Sequence, residues 1–177
     1  MIADVAAAPI PSLVKSIEID EGSESVRAFD AEGQLLAFYP ATVGSSEKPS
    51  PIGAFAVKGV ARHPVYVYDP TKLTWGPKEA GKLTIPPGPN NPVGAVWIAL
   101  TAPSYGIHGT PEPSRIGKTA SHGCVRLTNW DAQELAEAVR PGTVVNFTPR
   151  AERSALPVAG PVSADRDAPR LRSDIQR

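Results

Sequence analysis

Residues 121–127 have the sequence Ser-His-Gly-Cys-Val-Arg-Leu and contain the only cysteine of the 177-residue chain, Cys124. A second segment, residues 105–110, has the sequence Tyr-Gly-Ile-His-Gly-Thr, and a loop with proline and glycine separates the two. The segments hold two of the three histidines, His108 and His122. A lone free cysteine is usually a small buried hydrophobe. Here the neighbouring residue types instead favour a chemical role.

Acyl transfer by cysteine requires a thiolate, a base within hydrogen-bond reach and donors directed at the oxyanion. Gly123 would let the backbone turn tightly beside Cys124, which could direct neighbouring amides at a substrate carbonyl. Arg126 lies two residues beyond Cys124, and such positions face the same side of an extended segment. Its planar guanidinium suits a substrate carboxylate, so the segment could hold both a nucleophile and an anion-binding group.

Outward from these segments, the chain consists of short runs of β-branched and aromatic residues, which are typical of strands. The turn signals between them are rich in glycine, proline and aspartate. These runs and turns predict a mostly β domain with a long glycine- and proline-rich loop over Thr71–Gly94. The predicted strands are Ser16–Asp20, Ser25–Phe29, Gln34–Pro40, Ala54–Val60, Val65–Tyr68, Val96–Leu100 and Thr143–Thr148.

One helix is predicted after the cysteine segment. Thr128 and Asp131 have the spacing of a capping box, and Pro141-Gly142 would end the helix. Its apolar stripe is predicted to contain Trp130, Leu135, Ala138 and Val139. We also expect Trp97, on a predicted buried strand, to lie in the core.

Composition excludes several classes of function. Lysine plus arginine equals aspartate plus glutamate at 18 each, so no basic field is available for nucleic acid. The sequence contains no run of about 20 apolar residues, the length needed to span a membrane. A single cysteine cannot form an intrachain disulfide. No secretory leader is visible, which indicates a cytosolic chain or one lacking its leader. We expect residues 1–13 to be a linker or leader remnant, 14–150 the folded domain, and 151–177 a poorly ordered tail.

The two segments resemble the signature of the YkuD or ErfK type of L,D-transpeptidase catalytic domain. That signature is a His-Gly-Thr segment, a loop, and then Ser-His-Gly-Cys-(Val/Ile)-Arg, and the chain matches it at nine positions, His108–Thr110 and Ser121–Arg126. Residues 50–53, Ser-Pro-Ile-Gly, resemble the family's Thr-Pro-x-Gly turn. The likeness covers roughly Ser16–Thr148. It implies a mostly β, sandwich or barrel-like domain with one or two short helices.

The resemblance also implies an activity. The enzyme would attack the bond between a diamino acid and D-alanine in a tetrapeptide stem of peptidoglycan, form a thioester, and pass the acyl group to an amine of a second stem. It implies stem peptides as partners, no cofactor, no metal, and a periplasmic or cell-wall location.

The resemblance assigns roles to individual residues. Cys124 would be the nucleophile and His108 the base, with the Gly109 carbonyl orienting the imidazole. The backbone amides of His122, Gly123 and Cys124 are candidates for the oxyanion site. The candidate substrate-binding residues are Arg126, Ser121, Thr110 and Tyr105.

Several alternatives remain open. His122 is a rival base because it lies two residues from Cys124. His108, His122 and Cys124 could supply three ligands of a zinc site, although no carboxylate or second cysteine has a ligand-like spacing nearby. Water could resolve the thioester, which would give an L,D-carboxypeptidase. A non-catalytic wall-binding module is the remaining alternative. His63, alone on an aromatic strand, is expected at the surface or in the core.

Overall fold

The computed structural model describes residues 14–45, 49–70, 81–118, 121 and 123–149. The proposed linker 1–13, the proposed tail 151–177 and His122 lie outside these residues. The described chain forms eleven strands and one α-helix. They are β1 Ser16–Asp20, β2 Ser25–Phe29, β3 Leu35–Pro40, β4 Thr42–Val43, β5 Gly53–Arg62, β6 Tyr66–Tyr68, β7 Leu83–Ile85, β8 Val96–Leu100, β9 Gly106–His108, β10 Val125–Arg126, α1 Asn129–Ala138 and β11 Val144–Thr148.

Nine strands form one sheet, in the order β3-β2-β1-β11-β5-β8-β9-β10-β4. The long strand β5 belongs to both halves of this sheet: its first residues pair with β11, and its later residues pair with β8. The register of the β5–β8 pair shifts between Val57 and Gly59, and such irregularities bend a strand. The bend lets the two halves curve toward each other, and the predicted mostly β, barrel-like fold is confirmed.

The core lies between the curved halves of the sheet and the helix. Alternate residues of β1 and β8 point inward, as the period of two in a strand requires. Burial of each large aliphatic side chain contributes roughly 1.5–3 kcal/mol. The largest fully buried side chains include Ile17, Ile19, Ile98, Ile107, Leu127 and Leu135.

Helix α1 packs against β8 and β9, the strands beside the site. As predicted, Thr128 caps it: its Oγ1 accepts a hydrogen bond from the Asp131 amide at 3.1 Å and donates one to Asp131 Oδ2 at 2.7 Å. The prediction for Trp130 is wrong, because this side chain is 68% exposed. At about 100° per residue, Trp130 lies roughly 140° around the helix from Leu135. The buried face consists of Ala132, Leu135, Ala136 and Ala138.

A small second sheet, the antiparallel pair β6-β7, stands apart from the nine-stranded one. Its strand β7 falls inside the stretch predicted as a long loop, whose residues 71–80 lie outside the described structure. Lys82 pairs with the buried Asp69 at 3.2 Å and ties the base of the hairpin together. In the part of the chain that the structure describes, no helix has the length and apolar character needed to cross a bilayer.

Candidate active site

Three neighbouring strands bring the main side chains of the site together. His108 on β9 is the register partner of Trp97 on β8 and of Arg126 on β10. Because paired residues point to the same face of a sheet, these three side chains lie side by side. Their sequence neighbours Ile107 and Val125 are fully buried on the opposite face, in the core. The site therefore lies directly on the packed core.

His108 is only 5% exposed. Its Nδ1 lies 2.6 Å from the carbonyl oxygen of Gly109, and the Trp97 indole stacks on the imidazole with centroids 5.5 Å apart and planes inclined by 20°. A carbonyl oxygen only accepts hydrogen bonds, so in the neutral ring Nδ1 carries the proton. The other nitrogen, Nε2, is then an unprotonated acceptor, as a general base requires.

Burial determines the protonation of this histidine. It lowers the pKa of His108 to about 4, and the positive charge of Arg126 acts in the same direction. The hydrogen bond to the Gly109 carbonyl partly opposes these two effects, because it favours the protonated ring. His108 is therefore neutral at physiological pH.

Cys124 is partly exposed and immediately precedes β10. Burial raises the pKa of its thiol, while the Gly106 backbone and the Arg126 guanidinium lower it to a smaller extent. In this structure the sulfur lies 3.7 Å from the Ser104 carbonyl oxygen, to which the thiol can donate. The resting site thus combines a protonated thiol with a neutral imidazole.

The loop before Cys124 is organised by two serines. Ser121 Oγ donates to the Cys124 carbonyl oxygen at 2.6 Å and accepts from the Gly123 amide at 3.2 Å. Ser50, from the Pro-x-Gly turn, donates its hydroxyl to the Gly123 carbonyl at 3.2 Å. Gly123 has φ +101°, and a Cβ there would lie 2.7 Å from Cε1 of Tyr105, so only glycine fits.

These contacts bear on three residues predicted to bind substrate. The Ser121 hydroxyl already has two backbone partners, and Thr110 Oγ1 accepts from the Glu112 amide at 3.2 Å. Tyr105 packs its ring against Gly123. Structural roles account for all three contacts, and their binding of substrate stays a prediction.

Arg126 faces the site without a carboxylate beside it: within the described ranges it forms no ion pair.

No group of three His, Cys, Asp or Glu side chains that could hold a metal ion occurs among the described residues. The alternative zinc site includes His122, which lies outside these residues.

Three residues of this region are not predicted from the sequence as part of the site. Trp97, predicted in the core, is half-buried on the site face and stacks on His108. Tyr66 lies close enough to Cys124 and Arg126 that their charges influence its pKa, which burial raises. Asn129 donates a hydrogen bond from Nδ2 to the Thr110 carbonyl oxygen and packs against Gly109.

Tyr66 and Trp97 line an apolar cavity of about 370 Å³, together with Ala61, Pro64, Val65 and Val93.

Residues 15–147 match the family model of the YkuD L,D-transpeptidase catalytic domain. The chain belongs to this family. It is 32% identical over 133 residues to a protein of Bacillus licheniformis named putative L,D-transpeptidase YkuD, covering 75% of this chain and 65% of that protein. It is 33% identical over 123 residues to putative L,D-transpeptidase YqjB of Bacillus subtilis, covering 66% of this chain and 62% of that one. The chain thus spans somewhat less than two thirds of these relatives.

Solved structures show the same fold. L,D-transpeptidase 3 from Mycobacterium tuberculosis, in complex with a faropenem-derived adduct, has a TM-score of 0.60 and 17% identity, covering 75% of this chain and 59% of that one. The transpeptidase LdtMt1 in complex with imipenem has a TM-score of 0.58 and 20% identity, covering 75% and 57%. The family resemblance predicted from the sequence is confirmed.

Proposed function

We propose that this chain is a peptidoglycan L,D-transpeptidase that works through a thioester on Cys124, with His108 as the base. The observation that supports this most directly is the Nδ1 contact of His108 with the Gly109 carbonyl at 2.6 Å, which leaves Nε2 as an acceptor. His108 lies on β9, and Cys124 immediately precedes β10, the strand that pairs in parallel with β9. The backbone carbonyl of Gly109 takes the orienting role that a carboxylate has in a Ser-His-Asp triad.

In the first half-reaction, Sγ of Cys124 attacks the carbonyl carbon of the bond between the diamino acid and D-alanine. His108 Nε2 takes the thiol proton and then delivers it to the departing amine of D-alanine, so the C–N bond breaks as the thioester remains. In the second half-reaction, an amine of another stem attacks the thioester, its proton passes to His108, and the thiol is restored.

The protonation states explain when the proton moves. The pKa of His108 is about 4, whereas that of Cys124 is raised above the ordinary thiol value. Both shifts disfavour a resting thiolate–imidazolium pair relative to the neutral pair. Proton transfer is expected to accompany attack on a bound carbonyl, because the developing oxyanion then receives charge that the sulfur would otherwise keep.

Arg126 is proposed to hold a carboxylate of the donor stem. It shares a sheet face with His108, and a bound carboxylate would lie near the nucleophile in a geometry suited to the guanidinium.

For the oxyanion we propose the backbone amides of His122, Gly123 and Cys124. The Gly123 amide is engaged by Ser121 Oγ, so its participation requires that bond to be exchanged.

Product analysis tests this function. The folded chain and its Cys124→Ala variant would be incubated with a disaccharide-tetrapeptide, and the products weighed by mass spectrometry. Dimers that have lost one D-alanine, formed only by the chain with Cys124, are the expected result. Release of tripeptide without dimers would show an L,D-carboxypeptidase with the same thioester. Binding without turnover would contradict the catalytic proposal and favour a wall-binding module.

Location follows from the substrate. Stem peptides of peptidoglycan lie outside the cytoplasmic membrane, so the proposed activity places the protein in the periplasm or cell wall.

A further inference from the structure

Asn129, the first residue of α1, uses its side chain to join two loops to the helix. Its Nδ2 donates to the Thr110 carbonyl oxygen at 3.0 Å. Its Oδ1 accepts from the Ala95 amide at 3.0 Å. Because one partner only accepts and the other only donates, these contacts define the orientation of the amide group.

The same side chain packs tightly on the backbone that holds His108. A Cβ at Gly109 would collide with Asn129 Oδ1, and so would a Cβ at Gly94. Gly94 also lies against the peptide between residues 109 and 110: a Cβ there would be 2.6 Å from the Gly109 carbonyl carbon. Asn129 and Gly94 thus pack closely on the backbone whose carbonyl oxygen contacts His108 Nδ1.

We infer that Asn129 is a positioning residue for the proposed reaction: its hydrogen bond to the Thr110 carbonyl and its packing on Gly109 hold this backbone so that the Gly109 carbonyl keeps His108 in its Nδ1-protonated tautomer. This inference rests on the proposed role of His108 as base. Asn129 touches neither the thiol nor the imidazole directly in these contacts; it acts through the Gly109 carbonyl, 2.6 Å from the ring.

A role in helix capping does not account for these contacts. The N-cap of α1 is Thr128, whose hydroxyl accepts from the Asp131 amide at 3.1 Å. The hydrogen bonds of Asn129 run away from the helix, to the segments before β8 and after β9. Thr128 therefore caps the helix, whereas Asn129 fixes the backbone beside His108.

The consequence of losing Asn129 follows from the burial of His108. If the peptide after Gly109 rotates, the buried Nδ1–H loses its acceptor, and the tautomer with the proton on Nε2 becomes competitive. That tautomer cannot accept the thiol proton. A small displacement of a catalytic group can cost about 100-fold in rate, so we expect Asn129→Ala to slow acylation of Cys124 by roughly 10- to 100-fold.

The experiment compares Asn129→Ala with Thr128→Ala, which weakens the same helix end but leaves the Gly109 peptide alone. Acylation by imipenem would be followed by intact-protein mass, and the tautomer of His108 by ¹⁵N NMR of its ring. We expect Asn129→Ala to slow acylation and show an Nε2–H population. Thr128→Ala should acylate within about threefold of the unsubstituted chain and keep the Nδ1–H tautomer.

Asn129→Asp is the second variant, in case Asn129→Ala does not fold. It has the same shape and keeps an acceptor for the Ala95 amide, but it cannot donate to the Thr110 carbonyl. It should slow acylation in the same direction. Unchanged acylation and an intact Nδ1–H tautomer in the folded Asn129 variants would overturn the inference. Failure of the unsubstituted chain to acylate would instead contradict the proposed function, and the NMR signal would still test Asn129.

Discussion

The strand that carries His108 and the loop that carries Cys124 lie next to each other but are held in different ways. All three residues of β9, Gly106–His108, are buried, and the strand pairs with β8 on one side and β10 on the other. The loop depends on hydrogen bonds from the hydroxyls of Ser50 and Ser121, and its cysteine is partly exposed. Burial therefore controls the proposed base, His108, whereas a few replaceable polar contacts hold the proposed nucleophile, Cys124.

Replacing His108 should give the largest effect, because it removes the group that burial keeps neutral. His108→Gln keeps much of the side-chain volume but cannot take the thiol proton, and acylation of Cys124 should slow by about 10²- to 10⁴-fold. Time-resolved intact-protein mass with imipenem measures this rate. His63→Gln, at an exposed position, is the matched control and should acylate normally. A His108 variant that acylates at the normal rate would mean that another group is the base.

The burial of His108 should also appear in the pH dependence of stability. Its pKa is about 4 in the folded chain, against an ordinary 6.5. Between these values the unfolded chain binds a proton that the folded chain does not, so the free energy of unfolding should fall as pH falls from about 6.5 to 4. The free energy of unfolding should fall by roughly 3 kcal/mol in total. None of this loss occurs above about pH 6.5, and all of it has occurred below about pH 4.

Urea unfolding between about pH 7 and pH 4 would measure this loss in the unsubstituted chain and in His108→Gln. Carboxylates titrate in both proteins, so the difference between the two curves isolates His108. Parallel curves would show that burial does not control this histidine.

Ser121→Ala should have the smallest effect and perturb the loop alone. It removes the hydroxyl that bridges the Gly123 amide and the Cys124 carbonyl. We expect a loss of about 1–2 kcal/mol in the free energy of unfolding. Acylation should slow by roughly tenfold, because Cys124 is held less firmly. The pKa of His108, followed by NMR, should stay where it is. A shift of that pKa would mean that strand and loop are not controlled separately.

Much of the fold was accessible from the sequence because its longer strands carry clear runs of apolar and β-branched residues. Strands β1, β2 and β8 have the predicted bounds. The strands β4, β9 and β10 have only two or three residues, which is too short for a period of two to be visible. They are specified by their partners in the sheet, not by a local pattern.

The site shows the same division between local and spatial information. The two segments around His108 and Cys124 stood out because each is a compact motif. Trp97, Tyr66 and Asn129 did not, since sheet register and helix packing bring them there from separate parts of the chain. The prediction for Trp130 is wrong because an apolar residue near the start of a helix does not always face the core. Its position around the helix axis directs this side chain to solvent.

The most direct test of the account is the intact mass of the chain and of Cys124→Ala after incubation with imipenem. Cys124 is the only cysteine, so no second thiol can accept the drug in its place. The account predicts an increase of one drug molecule on the unsubstituted chain and none on the folded variant. An equal adduct on Cys124→Ala, or no adduct on a folded chain whose thiol is shown to be reduced, would contradict an acyl-accepting Cys124.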